Sequence, residues 1–300
     1  MTVGMTTERL GGWATWRELR RSHPRRTIER ALRDGTLAKV GHNRYTLPGT
    51  VEATREAIRL GGHLSHVSAA LHHGWKVKAV PEVTWVTLPR TRGALRTSTL
   101  GVHVHRSDLP DATSRARVTS PLRTVLDCAR VLPFDEALTV ADSALRSGKV
   151  DRHELRLAGA SARGPGSAQV RRVAEHADGR AANPLESVLR ALAIEVGLSL
   201  TPQLEVAESG VYARVDLGNE ELQLILEAEG YETHGTRKGL RRDCRRHTDF
   251  AVHGWTSMRY AYEHVMFEQD WVRWSLAAWL ARHTGAPTPA RPRTVVRRAA

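Results

Sequence analysis

The chain has 300 residues, 41% of them apolar, with no run of eighteen apolar residues; that length predicts two or three cores and excludes a membrane-spanning helix of ordinary length. Cys128 and Cys244 are its two cysteines, which rules out a disulfide framework and an all-cysteine zinc site. The net charge of +13 points to a nucleic-acid partner, and the first residues lack the apolar core of a secretion signal, so the expected compartment is the cytoplasm.

The charge is uneven. Residues 1–50 hold ten Lys/Arg against four Asp/Glu, and residues 286–300 hold four Arg and no acid. Residues 182–285 hold eleven basic against fifteen acidic residues. A nucleic acid bound by this last segment needs a metal ion and a local basic stripe to offset its charge.

In chain order, Thr15-Trp16-Arg17-Glu18 reads as a capping box, with Thr15 as N-cap. A break at Ser22-His23-Pro24 precedes a second helix running to about Asp34, with Gly35 as its C-terminal stop. Residues 37–40 and 44–47 then read as a short hairpin about Gly41-His42-Asn43. Two helices with a tight break followed by a hairpin is the order of a winged helix-turn-helix. The second helix would turn Arg25, Arg26, Glu29, Arg30 and Arg33 toward a DNA groove, with Arg44 on the hairpin. The plainer reading is a small helical domain with a solvated basic face. The stretches Gly11-Gly12-Trp13-Ala14-Thr15 and Arg44-Tyr45-Thr46-Leu47-Pro48-Gly49 resemble the amino-terminal domain of AbiEi-like antitoxins of type IV toxin–antitoxin systems. That resemblance implies a winged helix that represses its own operon; the partners expected are DNA and a cognate toxin or other protein.

Residues 51–155 predict a mixed α/β segment: helices over 51–60, 65–73, 120–129 and 134–145, with strands over 83–88 and 102–105. Val118-Thr119-Ser120-Pro121-Leu122-Arg123-Thr124-Val125-Leu126-Asp127 resembles the region following the winged helix in the same antitoxin-like proteins. His66, His72, His73, His103 and His105 invite a metal, but no Cys or acid falls at useful spacing. Ser161-Ala162-Arg163-Gly164-Pro165-Gly166-Ser167 reads as the heart of a linker over 156–181.

Over 182–285 the expected order is helix, strand, strand, helix, strand. Asn183-Pro184-Leu185-Glu186 opens the first helix. One strand closes near Asp216; the next, 222–228, carries Glu227 and Glu229 on one face, and His234 follows. Hard divalent cations need several anionic oxygens at one point, and two neighbouring strand ends can deliver them. Glu186 serves equally as the closing residue of a capping box, and Glu229 as an ion-pair partner. Arg237, Lys238, Arg241, Arg242, Arg245 and Arg246 form adjacent rows on the second helix, a phosphate-tracking stripe or a solvated face.

This order, with Asn183-Pro184-Leu185-Glu186, Val215-Asp216, Glu227-Ala228-Glu229-Gly230, His234, Arg242-Asp243, Arg246 and His253-Gly254-Trp255 through Arg259, resembles the restriction-endonuclease-like PD-(D/E)XK nucleases, and more closely a family related to very-short-patch-repair (Vsr) endonucleases. The resemblance implies that Asp216 and Glu227 hold Mg²⁺ or Mn²⁺, with Glu186 orienting water or a second ion. Glu229 then stands where the superfamily has lysine. His234 becomes a proton donor or phosphate contact, and Asp243, Arg246 and Arg259 support the site. The fold class expected is α/β multidomain: a winged helix over 1–50, an antitoxin-like α/β segment over 51–155, the linker, a restriction-endonuclease-like domain over 182–285 and a disordered basic tail over 286–300. The expected activity is phosphodiester hydrolysis on DNA; the alternative is a non-catalytic transcriptional regulator of antitoxin type.

Overall fold

The computed structural model describes residues 1–91, 93, 98–109, 116–208, 211–230 and 237–292. It is mixed α/β with three small sheets, and its contacts divide the chain into two compact units. One holds residues 1–75 and 79–128, the other residues 76–78 and 129–300. The boundary is not at 182. Among the described residues no helix is long and apolar enough to cross a membrane.

The first unit opens with α1 (Val3–Arg9), which composition did not announce, then β1 (Trp13–Ala14), α2 (Trp16–Arg20), α3 (Arg25–Arg33), β2 (Ala38–Gly41) and β3 (Arg44–Thr46). The strands form an antiparallel sheet in the order β1-β3-β2. Thr15 caps α2 in the predicted capping box, and Gly35, at φ +77°, stops α3 where a side chain would be strained. Pro24 is the N-cap of α3. Val3, Ala14, Leu19, Ile28, Ala31, Leu37 and Tyr45 make one buried cluster.

There follow α4 (Glu52–Leu60), β4 (His63–Leu64), α5 (His66–His72), β5 (Thr84–Leu88), β6 (Val102–Arg106) and α6 (Pro121–Val131), which runs on past the unit boundary. The sheet order is β4-β5-β6, with β5 and β6 parallel. Ala57, Leu60, Leu64, Val86 and Leu88 bury one face of it. Towards the other face, His66 and His103 flank Trp85, with ring centroids at 4.9 and 4.0 Å. Burial pushes His66 down to about 3, so it is neutral.

The second unit holds α7 (Phe134–Arg146), α8 (Arg152–Ser161) and α9 (Ser167–His176) before α10 (Pro184–Glu195). The span 156–181, expected as a linker, therefore holds the end of α8 and all of α9. The Gly164-Pro165-Gly166 stretch is a tight turn between two helices, both glycines having positive φ. α7 and α10 are joined by a buried ion pair: Arg190 Nη2 donates to both oxygens of Asp142 at 2.7 Å, and Ser187 Oγ adds a bond at 2.8 Å.

Next come β7 (Thr201–Glu208), β8 (Val211–Asn219), β9 (Leu224–Glu229), α11 (Arg237–Val252), β10 (Thr256–Ala261), α12 (Tyr262–Phe267) and α13 (Gln269–Thr284). β7 is an addition to the predicted order. The sheet runs β10-β9-β8-β7, with β10 and β9 parallel and the other pairs antiparallel. α10, α12 and α13 bury Leu189, Leu192, Val265 and Leu276 against Leu217, Leu226 and Tyr260. The opposite face packs Val206, Val215 and Ile225 with Phe250 and Trp255. Residues 286–292, expected to be disordered, lie along α13: Ala286 N–H donates to Ala281 O at 2.8 Å, and Trp274 Nε1 donates to Pro289 O at 3.0 Å.

Candidate functional site

The site begins with an irregularity in β8. The β8–β9 ladder covers only residues 217–219 of β8 against 224–226 of β9. Continuing that register sets Asp216 opposite Glu227, but there the ladder has parted. Val215 packs on the Phe250 side of the sheet and Leu217 on the Tyr260 side, so the two-residue alternation slips at Asp216. Asp216 Oδ2 accepts the Ala228 N–H at 2.9 Å, standing in for a main-chain acceptor. Asp216 thus lies within its strand, not at the strand end that the sequence suggested. On the other side Gln203 falls opposite Asp216 in the β7–β8 register but outside the ladder, at φ +53°. A non-glycine residue held there stores local strain.

Three carboxylates meet this irregularity. Glu227 is 5% exposed and Glu186 2%. Burial pushes Glu227 up to about 7, and the charge of Asp216 pushes in the same direction, against Arg246. Burial also raises Asp216, partly offset by the Ala228 N–H. Glu186 is pushed up to about 6, mainly by burial; the Ala182 N–H opposes that shift and the charge of Asp216 adds to it. Glu186 closes the start of α10, with Ala182 N–H on Oε2 at 2.7 Å, Asn183 Nδ2 on Oε1 at 2.7 Å and its own N–H on Asn183 Oδ1 at 3.1 Å. It also feels Asp216, and Gln203 Nε2 holds its Oε2 at 2.9 Å.

Two guanidinium groups face these acids. Arg246 Nη2 is 3.3 Å from Glu227 Oε1. Arg259 Nη2 is 2.5 Å from Glu229 Oε1, and its Nε donates to the same oxygen at 2.7 Å. Of the basic rows on α11, Arg241, Arg242 and Arg245 are exposed, whereas Arg246 is half-buried and turned toward the carboxylates. That orientation corrects its placement on an outward phosphate stripe. Asp243 is half-buried on the same helix. His247, also half-buried, meets Ser257 Oγ through Nδ1 at 3.0 Å and is pushed down by burial, then by Arg259 and Arg246. His234 lies outside the described residues.

Among the described residues, no three His, Cys, Asp or Glu side chains form a ready-made metal cage. Mg²⁺ does not require one, since it commonly takes one or two carboxylates and completes its shell with water and substrate phosphate. Asp216 and Glu227 fit that demand: both are hard oxygen donors raised by burial, and Glu227 Oε1 is buried without a hydrogen bond. A cation there would relieve both.

In the first unit, Arg25, Arg26, Arg30 and Arg33 are exposed along α3, with Arg25 Nε paired to Glu29 at 2.6 Å. Arg44 does not join them; it is half-buried and donates to Arg59 O at 3.3 Å. Sequence reasoning missed the supports of this face. His23, in the turn before α3, meets Thr6 of α1 at 2.7 Å, and Asn43 Oδ1 accepts the Trp16 N–H at 2.8 Å. It also missed Gln203, whose left-handed backbone leaves no mark in composition.

No family model matches the chain. It is 33% identical over 192 residues to the uncharacterized proteins MT2308 and Rv2248 of Mycobacterium tuberculosis, an overlap covering 62% of this chain and 69% of each relative. Among solved structures, the crystal structure of the RV2827C protein from Mycobacterium tuberculosis aligns over 67% of this chain and 82% of that one, at 14% identity and a TM-score of 0.34, a likeness too slight to carry an argument. The identity and coverage shared with MT2308 and Rv2248 place this chain in their family.

Proposed function

We propose that the chain is a DNA-binding protein whose second unit hydrolyses phosphodiester bonds with the help of Mg²⁺ or Mn²⁺. The observation that carries this reading is the Asp216–Glu227 pair at the break between β8 and β9, two carboxylates raised by burial beside the Ala228 amide. Asp216 and Glu227 are the residues that would hold the ion. When bound, it lowers the pKa of a water and offsets charge on the leaving oxygen. Glu186, at about 6, is suited to take a proton from the attacking water near neutral pH. Glu229 cannot neutralise developing phosphate charge, but it presents Arg259, whose guanidinium does so. The resemblance of its sequence motifs to those of Vsr-related PD-(D/E)XK nucleases supports this reading, and a winged helix in the first unit would bring the exposed arginines of α3 to the duplex.

The test is titration of Mn²⁺ into the full chain, wild type against Asp216→Asn and Glu227→Gln, followed by Mg²⁺-dependent nicking of supercoiled plasmid. Saturable binding and nicking that both variants lose are expected. Absence of Mn²⁺ binding in the wild type, with duplex DNA present, would end the nuclease reading.

A second reading has its own support. Glu227 and Glu229 each face an arginine, as they would in a site retained for structure. The chain is then a transcriptional regulator of antitoxin type, with DNA and a cognate toxin as partners. Promoter binding and cellular effect that are unchanged in Asp216→Asn would favour it.

A further inference from the structure

A second feature of this unit lies at the other end of its sheet. A groove of about 670 Å³ opens beside the starting ends of β9 and β10, lined by Gln223, Thr256, Trp274, Trp279, Arg282 and His283 among others. Six residues of extended strand separate Gln223 from Glu229, about 20 Å, so this groove is not the carboxylate site.

Its walls have a consistent chemistry. Trp279 and His283, one turn apart on α13, stack with centroids 5.1 Å apart and planes 20° from parallel. Trp274 presents its ring to the guanidinium of Arg291 at 5.1 Å. Arg282 and His283 are exposed at the rim, and among the described residues no Asp or Glu lines the groove. At the mouth Gln223 is held at φ +45°, its Nε2 directed at His253 O at 3.4 Å. Flat aromatic faces flanked by unopposed positive charge are what an unstacked nucleobase and its phosphate require. An acidic peptide would use the charge and leave the indoles idle; a basic one would be repelled by Arg282 and Arg291.

We infer that this groove binds single-stranded nucleic acid, with bases stacked on Trp274 and Trp279 and phosphate met by Arg282 and Arg291. This binding depends on neither the carboxylates nor a metal. The segment 286–292, lying over Trp274, supplies one of the two guanidiniums.

The test is fluorescence anisotropy with labelled oligothymidine of about 15 nucleotides. It uses the full chain in EDTA, on an Arg25→Ala/Arg26→Ala/Arg30→Ala/Arg33→Ala background that removes the α3 arginines. Trp274→Ala and Trp279→Ala should each weaken binding about tenfold, within the range for one lost stacking platform, while Trp274→Phe retains most of it. Arg282→Ala should lower the salt dependence by about one released counterion. Far-ultraviolet circular dichroism checks that the tryptophan variants are folded; should an alanine variant unfold, Trp279→Leu replaces it and must show the same loss. Absence of oligothymidine binding, or affinity equal in folded tryptophan variants and parent, would overturn the inference.

Discussion

Arg246 Nη2 lies 3.3 Å from Glu227 Oε1, yet that oxygen and Arg246 Nε are both buried without a hydrogen bond. A pair with both sides unfinished is poorly matched to itself and open to a better partner. A divalent ion would compete with the guanidinium for Glu227, and a phosphate would compete with Glu227 for the guanidinium. Removing the competitor in Arg246→Gln should tighten Mn²⁺ binding at pH 8 by about tenfold, given charges this close in a partly buried site. Isothermal titration measures it, and equal affinities would show that arginine and ion do not compete.

The pH dependence of stability has an unusual sign. Glu227 sits at about 7 against an ordinary 4.5, so the folded chain holds this proton to higher pH than the unfolded chain. Its contribution is complete below about 4.5 and is lost as pH rises through about 7. The loss amounts to roughly 3 kcal/mol. Glu186, at about 6, adds a smaller loss over a narrower window. Glu227→Gln should therefore melt higher than wild type at pH 8 and at nearly the same temperature at pH 4. Parallel melting curves from pH 4 to 8 would contradict the burial that the shift expresses.

The Asp142–Arg190 pair gives the clearest stability prediction. Both side chains are almost wholly buried, and burial raises Asp142 against the pull of Arg190. Arg190→Ala leaves a buried carboxylate without its counter-charge and should cost about 3–5 kcal/mol. Replacing both residues, as Asp142→Leu with Arg190→Met, should recover much of that. Urea unfolding followed by circular dichroism measures both, and a double variant as weak as the single would show that the pair itself, rather than its orphaned charge, matters.

On α3, Arg26, Arg30 and Arg33 are exposed, and no ion pair is seen for them among the described residues, unlike Arg25 with Glu29. Each of Arg26→Ala, Arg30→Ala and Arg33→Ala should weaken duplex binding and lower its logarithmic salt slope by about one for each phosphate that the arginine had neutralised. Arg44→Ala should leave the slope unchanged, because Arg44 is turned onto Arg59 O. Electrophoretic mobility shifts across a salt series would show the difference, and equal slopes for all four variants would remove α3 from the DNA interface.

Gln203 combines left-handed backbone with a side-chain bond to Glu186. Gln203→Gly relieves strain of about 1 kcal/mol and releases the carboxylate. The melting temperature should hold or rise while Mn²⁺-dependent nicking falls. A fall in both together would show that the residue matters only for folding.

The amphipathic helices and alternating strands are readable in the sequence because burial imposes a period on them. Thr15 with Glu18, Ile28 with Ala31, and Leu185 with Leu189 and Leu192 all sit where that period puts them. The span from 156 reads as linker because Gly164-Pro165-Gly166 outweighs Leu155, Val170 and Val173 in a local reading, although those three residues, Gly164 to Gly166, make a tight helix–helix turn. The candidate site is legible as residue types, since Glu186, Asp216, Glu227 and Glu229 stand out by kind and spacing. Its arrangement is not. The slip at Asp216, the inward turn of Arg246 and the strained Gln203 arise from packing between segments far apart in the chain, and no spacing encodes them.

The bond between Arg190 and Asp142 also determines how the second unit can be divided. A fragment beginning at residue 182 would contain every candidate catalytic carboxylate, and by the sequence alone it is the natural piece to excise. It would also sever Arg190 from Asp142 and from His176 O, to which its Nη1 donates at 2.6 Å, and strip the cover from one side of α10. Silence from such a fragment would report a cut through a core rather than a lack of chemistry. A piece that keeps this core must retain α7, α8 and α9, and the unit also takes in residues 76–78.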